Sequence, residues 1–291
     1  MRVILDCDTK NEIDDQFAIT YAFAKGVRIE AIVNVQNTHS NGPESVTIYQ
    51  EEAAAILAAL GRPEVPNLRG VERPLDNSVS PGSAEGVDFI IDRALTEDPE
   101  PLFVIGTGPA TDLASALLRA PEIASKARFI WLGGFRDEEE FRRRGSEWNA
   151  LGDPWAVKAL FESRAAMLST LFHVPAWGVT EKLVWRTERL VGQLREMGKP
   201  IHTLLADRTV EWTTRSGRSL SDNPPKEFWD IGAVDVAIHP ERHSLRFMPA
   251  HGLGENAEWV IPASGTHVIG IDVDLETDAI LSDALCAFAG L

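Results

Sequence analysis

The chain has 291 residues, 44% hydrophobic and 25% charged, enough to bury a large core as one big α/β domain or two smaller ones. A formal charge of -16 with a pI near 4.9 repels phosphate backbones and anionic lipid, so nucleic-acid polymers and membranes are excluded as expected partners and a neutral small molecule or a cation is favoured. No run approaches the ~18 uninterrupted apolar residues of a membrane span, MRVILDCDTK is charged where a secretory leader is apolar, and Cys7 and Cys286 form no CxxC pair; a cytoplasmic protein with reduced thiols is expected.

In chain order, VILDCD reads as a buried strand that ends among carboxylates. DDQFAITYAFAKG follows as a helix, with apolar residues at Phe17, Ala18, Tyr21 and Ala22 and a stop at Gly26. RIEAIVNVQN is a second strand and VTIYQEEAAAILAALG a second helix closed by Gly61. LFVIGTG is a strand with a loop behind it, ATDLASALLRA a helix, and ARFIWLGG and AAMLSTLFHVPAWGVT continue the alternation. Strands alternating with helices predict an α/β fold, an open and mostly parallel sheet flanked by helices, and one domain over residues 1–291.

In such sheets the ligand crevice lies beyond the carboxyl ends of the strands, which selects Asp6, Asp8, Asn37, Thr107, Gly133 and Gly134. RDEEEFRRRGSEWN, charged and without a strand pattern, is expected to be an exposed loop or flap beside that crevice. RTVEWTTRSGRSLSDNPPKEFWD, polar and carrying Trp212 and Trp229, is a second expected lid.

Asp6, Asp8, Glu12, Asp14 and Asp15 place five acids within ten positions at a strand-to-helix junction. Like charges this close raise one another's pKa unless a cation neutralises them, and hard oxygen ligands suit calcium or magnesium better than zinc. The plainer alternative is that Asp14 and Asp15 serve the helix dipole while Asp6 and Asp8 stay solvated. The spacing is not that of an EF-hand, so a metal here takes ligands from distant parts of the chain.

DCDTKNEIDDQFAI resembles the N-terminal Asp-x-Asp motif of the inosine-uridine-preferring nucleoside hydrolase family, in which a second Asp pair opens the first helix. The resemblance implies a Rossmann-like core and assigns Asp8 as metal ligand and general base, Asp15 as metal ligand and Asp14 as the holder of a ribose hydroxyl. Asn37 is similar to the family Asn after the second strand, which contacts ribose and the nucleophilic water. IGTGPATDLASAL resembles the segment that binds metal through a backbone carbonyl, here that of Thr107. GSEWNALGDPWAVKAL implies that Glu147 and Asn149 meet ribose hydroxyls, and FWDIGAVDVAI implies that Asp230 completes the metal shell. The expected function is calcium-dependent hydrolysis of the N-glycosidic bond of a ribonucleoside or related N-riboside, by a homodimer or homotetramer. The alternative is a ribose- or metal-binding protein on the same fold without hydrolase activity; a magnesium phosphatase on the Asp-x-Asp motif ranks below both.

The chain departs from the family pattern in three places. The Pro-Gly of the first motif is replaced by Thr9, Lys10, Asn11 and Glu12, a turn two residues longer, which brings Lys10 close to the site or leaves it pointing outward. Trp229 stands before Asp230 where many members carry a proton-donating His; it resembles the purine-preferring branch, where an aromatic ring stacks on the base, with Trp185 or Trp212 as the other face. Phe141 stands where an Asn is expected. Of the histidines only His39 is placed to face the crevice, as an acid for the base or as an ordinary loop residue.

Overall fold

The computed structural model describes residues 1–254, 259–260 and 267–291. Strand β1 (Arg2–Cys7) is buried along its whole length. Its side chains alternate between two apolar cores, Val3, Leu5 and Cys7 entering one and Ile4 the other, because successive residues of a strand face opposite sides of a sheet. β2 (Arg28–Asn34), β3 (Asn67–Arg69), β4 (Leu102–Gly106), β5 (Ala127–Leu132), β6 (Leu171–Val174), β7 (His243–Pro249) and β8 (Val268–Leu275) complete an eight-stranded sheet. The order is β3-β2-β1-β4-β5-β6-β8-β7, parallel throughout except for β7, which runs antiparallel on the edge beside β8. The expected α/β class and mostly parallel sheet are therefore present.

After β1 the chain moves outward through β2 and β3 and then returns to the other side of β1 as β4. That reversal is a topological switch point, and it opens a crevice beyond the carboxyl ends of β1 and β4, at Asp8 and Thr107. Helix α1 (Asp14–Ala24) starts at this crevice and is buried from Asp14 to Ala22, since it lies under the sheet and against the C-terminal helix Thr277–Gly290 and the late helix Trp229–Ile238. Gly26 and Gly61 end their helices with positive φ, as expected. The second strand stops at Asn34 rather than at Asn37, because Asn37 instead accepts a bond from the Ser40 amide and caps a short turn.

Both expected lids contain helix. Asp137 caps α2 (Glu138–Arg144) by accepting from the Glu140 amide, and the charges of that helix pair with one another: Arg142 with Glu138 and Arg143 with Glu140. What reads as a strandless charged loop is thus a helix held by a cap and its own ion pairs. The second segment holds the end of α3 (Pro200–Arg215) and a short ribbon, Pro225–Glu227 paired antiparallel with Val184–Arg186, which leads into α4 (Trp229–Ile238). Cys7 is buried, Cys286 is exposed, and both are free. No helix among the described residues is long and apolar enough to cross a membrane.

Candidate active site

β1 delivers Asp8 into the crevice at its own end. Asp8 Oδ2 accepts from the side-chain amides of Asn37 at 2.7 Å and Asn11 at 3.0 Å, so one carboxylate oxygen is held by two donors. Asn11 reaches it because the turn closes through a bond from its backbone N–H to the Asp8 carbonyl, with Lys10 at a φ of 87°. Gly108, after Thr107, permits the β4 loop to lie against Asp8: a Cβ there would fall 3.0 Å from Asp8 Cβ and 2.7 Å from Val35.

Asp14 and Asp15 open α1 and Asp230 opens α4, where the positive helix ends favour carboxylates. Thr107 Oγ donates to Asp15 Oδ1 at 2.7 Å, and the Thr107 carbonyl accepts from the Asn149 side chain, which also donates to the Leu132 carbonyl. Glu147 accepts from the backbone N–H groups of Gly134, Asn149 and Ala150 at 2.7, 3.0 and 2.9 Å, which fixes its carboxylate at the start of a short helix. Asp8, Asp14, Asp15, Thr107, Glu147, Asn149, Trp229 and Asp230 all line one crevice of about 400 Å³, a volume in the small-molecule range. Asn37 does not line it; it is fully buried behind Asp8.

Burial is the largest cause that pushes the carboxyls of Asp8, Asp15 and Asp230 above the ordinary range, and neighbouring carboxylates add to it at Asp8 and Asp230. Among the described residues no Lys or Arg lies within 4 Å of these three carboxylates. Asp14 differs: burial pushes it up to about 7 against the opposing charge of Lys226, 3.9 Å away. A hard divalent cation fits this donor set, which is all oxygen, buried, convergent and, among the described residues, without an ion pair, although the Lys226 charge partly offsets Asp230. A tighter trio, Asp235, His239 and Asp283, has ligand atoms within 4.8 Å of one another, but Arg242 bonds both carboxylates and Lys25 bonds Asp283, so that group is already an ion-pair network.

Four tryptophans join the acids in the crevice wall: Trp148, Trp177, Trp212 and Trp229. Trp229 meets Trp177 edge to face at 4.9 Å, and the Arg144 guanidinium covers Trp177 at 4.0 Å. Of the two partners expected for Trp229, Trp212 lies in the crevice whereas Trp185 is packed in the core against Phe17 and Phe228. Phe141 packs on Phe135. Lys10 turns to Glu52, 3.3 Å away, rather than to the carboxylate cluster. His39 is exposed and meets Trp148 with the rings tilted at 51° and 5.3 Å apart, beside the crevice rather than in its wall. Sequence reading missed Trp148, Trp177, Asn11 and Lys226; of these only Trp148 had a signal, since it sits between Glu147 and Asn149.

Residues 3–281 match the family model described as inosine-uridine preferring nucleoside hydrolase. The chain belongs to that family. Pyrimidine-specific ribonucleoside hydrolase RihA of Salmonella arizonae is 28% identical over 229 residues, 70% of this chain and 69% of that protein. The structure of a purine-preferring ribonucleoside hydrolase from Gardnerella vaginalis superposes with a TM-score of 0.75 at 21% identity, over 100% of this chain and 98% of that one. An inosine-guanosine nucleoside hydrolase gives 0.77 at 18% identity, over 99% and 98%. At these identities the superpositions establish the fold, while the family establishes the class: this nucleoside hydrolase family member is an N-ribosyl hydrolase of the ribonucleoside type.

Proposed function

We propose that the chain, as one domain over residues 1–291, hydrolyses the N-glycosidic bond of a ribonucleoside with the help of a calcium ion held by Asp8, Asp15, Asp230 and the Thr107 carbonyl. The observation that carries this reading is the set of buried carboxylates facing one crevice with no ion pair to Asp8, Asp15 or Asp230 among the described residues. When bound, the cation would supply a water of lowered pKa and a positive charge for the ribose hydroxyls. Asp8, steadied by Asn11 and Asn37, accepts the proton of the attacking water. The reacting sugar gains positive charge as the bond to the base lengthens, and the surrounding carboxylates stabilise it. Asp14 holds one ribose hydroxyl; Glu147 and the Asn149 side-chain carbonyl accept others, since the Asn149 amide is spent on Thr107 and Leu132. Asn37 serves ribose only through Asp8.

Trp229 flanks the base with Trp177 or Trp212, and stacking takes the place of the missing His in activating the leaving group. Free thiols at Cys7 and Cys286 support a cytoplasmic location, and a homodimer or homotetramer is the assembly we propose. The test is a panel of purine and pyrimidine ribonucleosides with nicotinamide riboside, assayed for reducing sugar with calcium and then with chelator. Release that stops on chelation and returns with calcium is expected. Release that survives chelation refutes the metal, and no release from any member refutes the substrate class.

A further inference from the structure

Lys226 is fully buried behind the crevice wall, in the short strand just ahead of Trp229 and Asp230. A lysine is found there only if its charge is answered on several sides. Its ammonium donates to the Glu12 carboxylate and the Glu227 carbonyl, lies 3.9 Å from Asp14 Oδ1, and stands over the rings of Trp212 at 5.3 Å and Phe228 at 5.7 Å. Glu12 belongs to the lengthened turn between Asp8 and Asp14. The same turn is tied to the neighbouring elements twice more: Lys10 pairs with Glu52, which Arg208 also holds, and the Asn11 carbonyl accepts from Arg215.

We propose that Lys226 is a positioning residue for ribose: it clamps the lengthened turn through Glu12 and sets the Asp14 carboxylate in the orientation that reads a ribose hydroxyl. The approach to α1 is thus fixed by a buried cation. The short strand that carries Lys226 runs straight into Trp229 and Asp230, so one segment sets both the base side and the ribose side of the crevice. The inference rests on the proposed role of Asp14.

K226M removes the charge at similar volume, and E12Q weakens the same clamp at a side chain that is 41% exposed. KM and kcat are measured for a ribonucleoside and its 2′-deoxy and 3′-deoxy analogues, with a thermal melt of each variant. In K226M the KM for the ribonucleoside rises on the order of tenfold, the scale of a lost bond to a charged group. KM for the analogue lacking the hydroxyl that Asp14 holds barely moves, so discrimination between the two collapses; E12Q shifts the same ratio in the same direction by a smaller factor. Wild-type discrimination in both variants overturns the proposal, even where activity on all substrates falls together, since that is the mark of a structural role. If K226M does not fold, an unchanged ratio in E12Q overturns it alone. A wild-type enzyme that releases no sugar from any nucleoside sinks the underlying reading instead, which separates the two failures.

Discussion

Asp8 is a buried carboxyl bonded by neutral amides, and burial and the nearby Asp15 oppose its ionisation. Its cost to the fold is the mark of a functional group, because a neutral residue of the same shape is cheaper there. Asp8→Asn is therefore expected to lower kcat by about 10²–10⁴-fold, the usual weight of a general base. In chelator its melting temperature stays level or rises, as one of the repelling carboxylates is gone; full activity in this variant removes Asp8 as the base. Trp229→Ala is expected to reduce kcat/KM by roughly 5- to 150-fold, as stacking of a base on an aromatic ring contributes about 1–3 kcal/mol. Unequal losses on purine and pyrimidine substrates reveal which base the ring prefers, and no loss on either removes it from the base seat. The acids were legible because five of them in ten positions at a strand end ask for a neutralising cation. Asn11 and Lys226 were not, since their roles depend on groups brought near by folding: Asn11 by a tight turn and Lys226 by a ribbon more than two hundred residues away from Asp14. Of the two readings left open for Lys10, the structure takes the one away from the site, its left-handed backbone standing with the side chain on Glu52.

At the scale of elements, the parallel strands β1, β2, β4 and β5 were readable as apolar runs because both faces of the sheet are covered, whereas β3, only three residues long, and β8 were not read. The antiparallel edge strand β7 carries no such run, four of its seven residues being exposed. The helix α2 was hidden by its charge, which looks like a solvated loop until the i to i+3 and i to i+4 pairs are counted. Its cap has a functional consequence. Arg144, the last residue of α2, lies over Trp177 in the crevice wall, so fraying at Asp137 reaches the site. Asp137→Ala is expected to cost about 1 kcal/mol, the value of a side-chain cap, and to lower the melting temperature by roughly 2–4 °C. KM should rise a few-fold with kcat nearly kept. A larger fall in kcat than in substrate affinity, measured under the same conditions, contradicts this account of α2 as a wall rather than a catalytic element.

Across the whole molecule, the centre of the sheet and its β7 edge do different work. The carboxyl ends of β1 and β4 gather acids around the crevice, of which Asp8, Asp15 and Asp230 have no ion pair among the described residues, whereas a second acidic group is paired. There His243 in β7 lies between Asp272 in β8, at 2.6 Å, and Asp235 in α4, at 3.1 Å. Asp235 also meets Arg242, and Tyr21 Oη sits 2.6 Å from it, so the edge strand, α4 and α1 are joined by one polar network. Burial alone depresses the imidazole pKa, but the bonds to Asp235 and Asp272 outweigh it and hold the pKa up to about 9, against 6.5 for a free histidine. A raised folded-state pKa means that the native protein binds the proton more tightly than the unfolded chain. The stabilisation is then complete below about pH 6.5 and is lost as pH climbs through about 9. At 1.36 kcal/mol per pKa unit the network is worth on the order of 3 kcal/mol at its fullest. Urea unfolding midpoints should accordingly fall between pH 6.5 and 9.5, while in His243→Gln the midpoint starts lower and the decline over that interval flattens. A wild-type midpoint that is level across the interval, or a variant that declines as steeply, means that His243 is not the group linking this fold to pH.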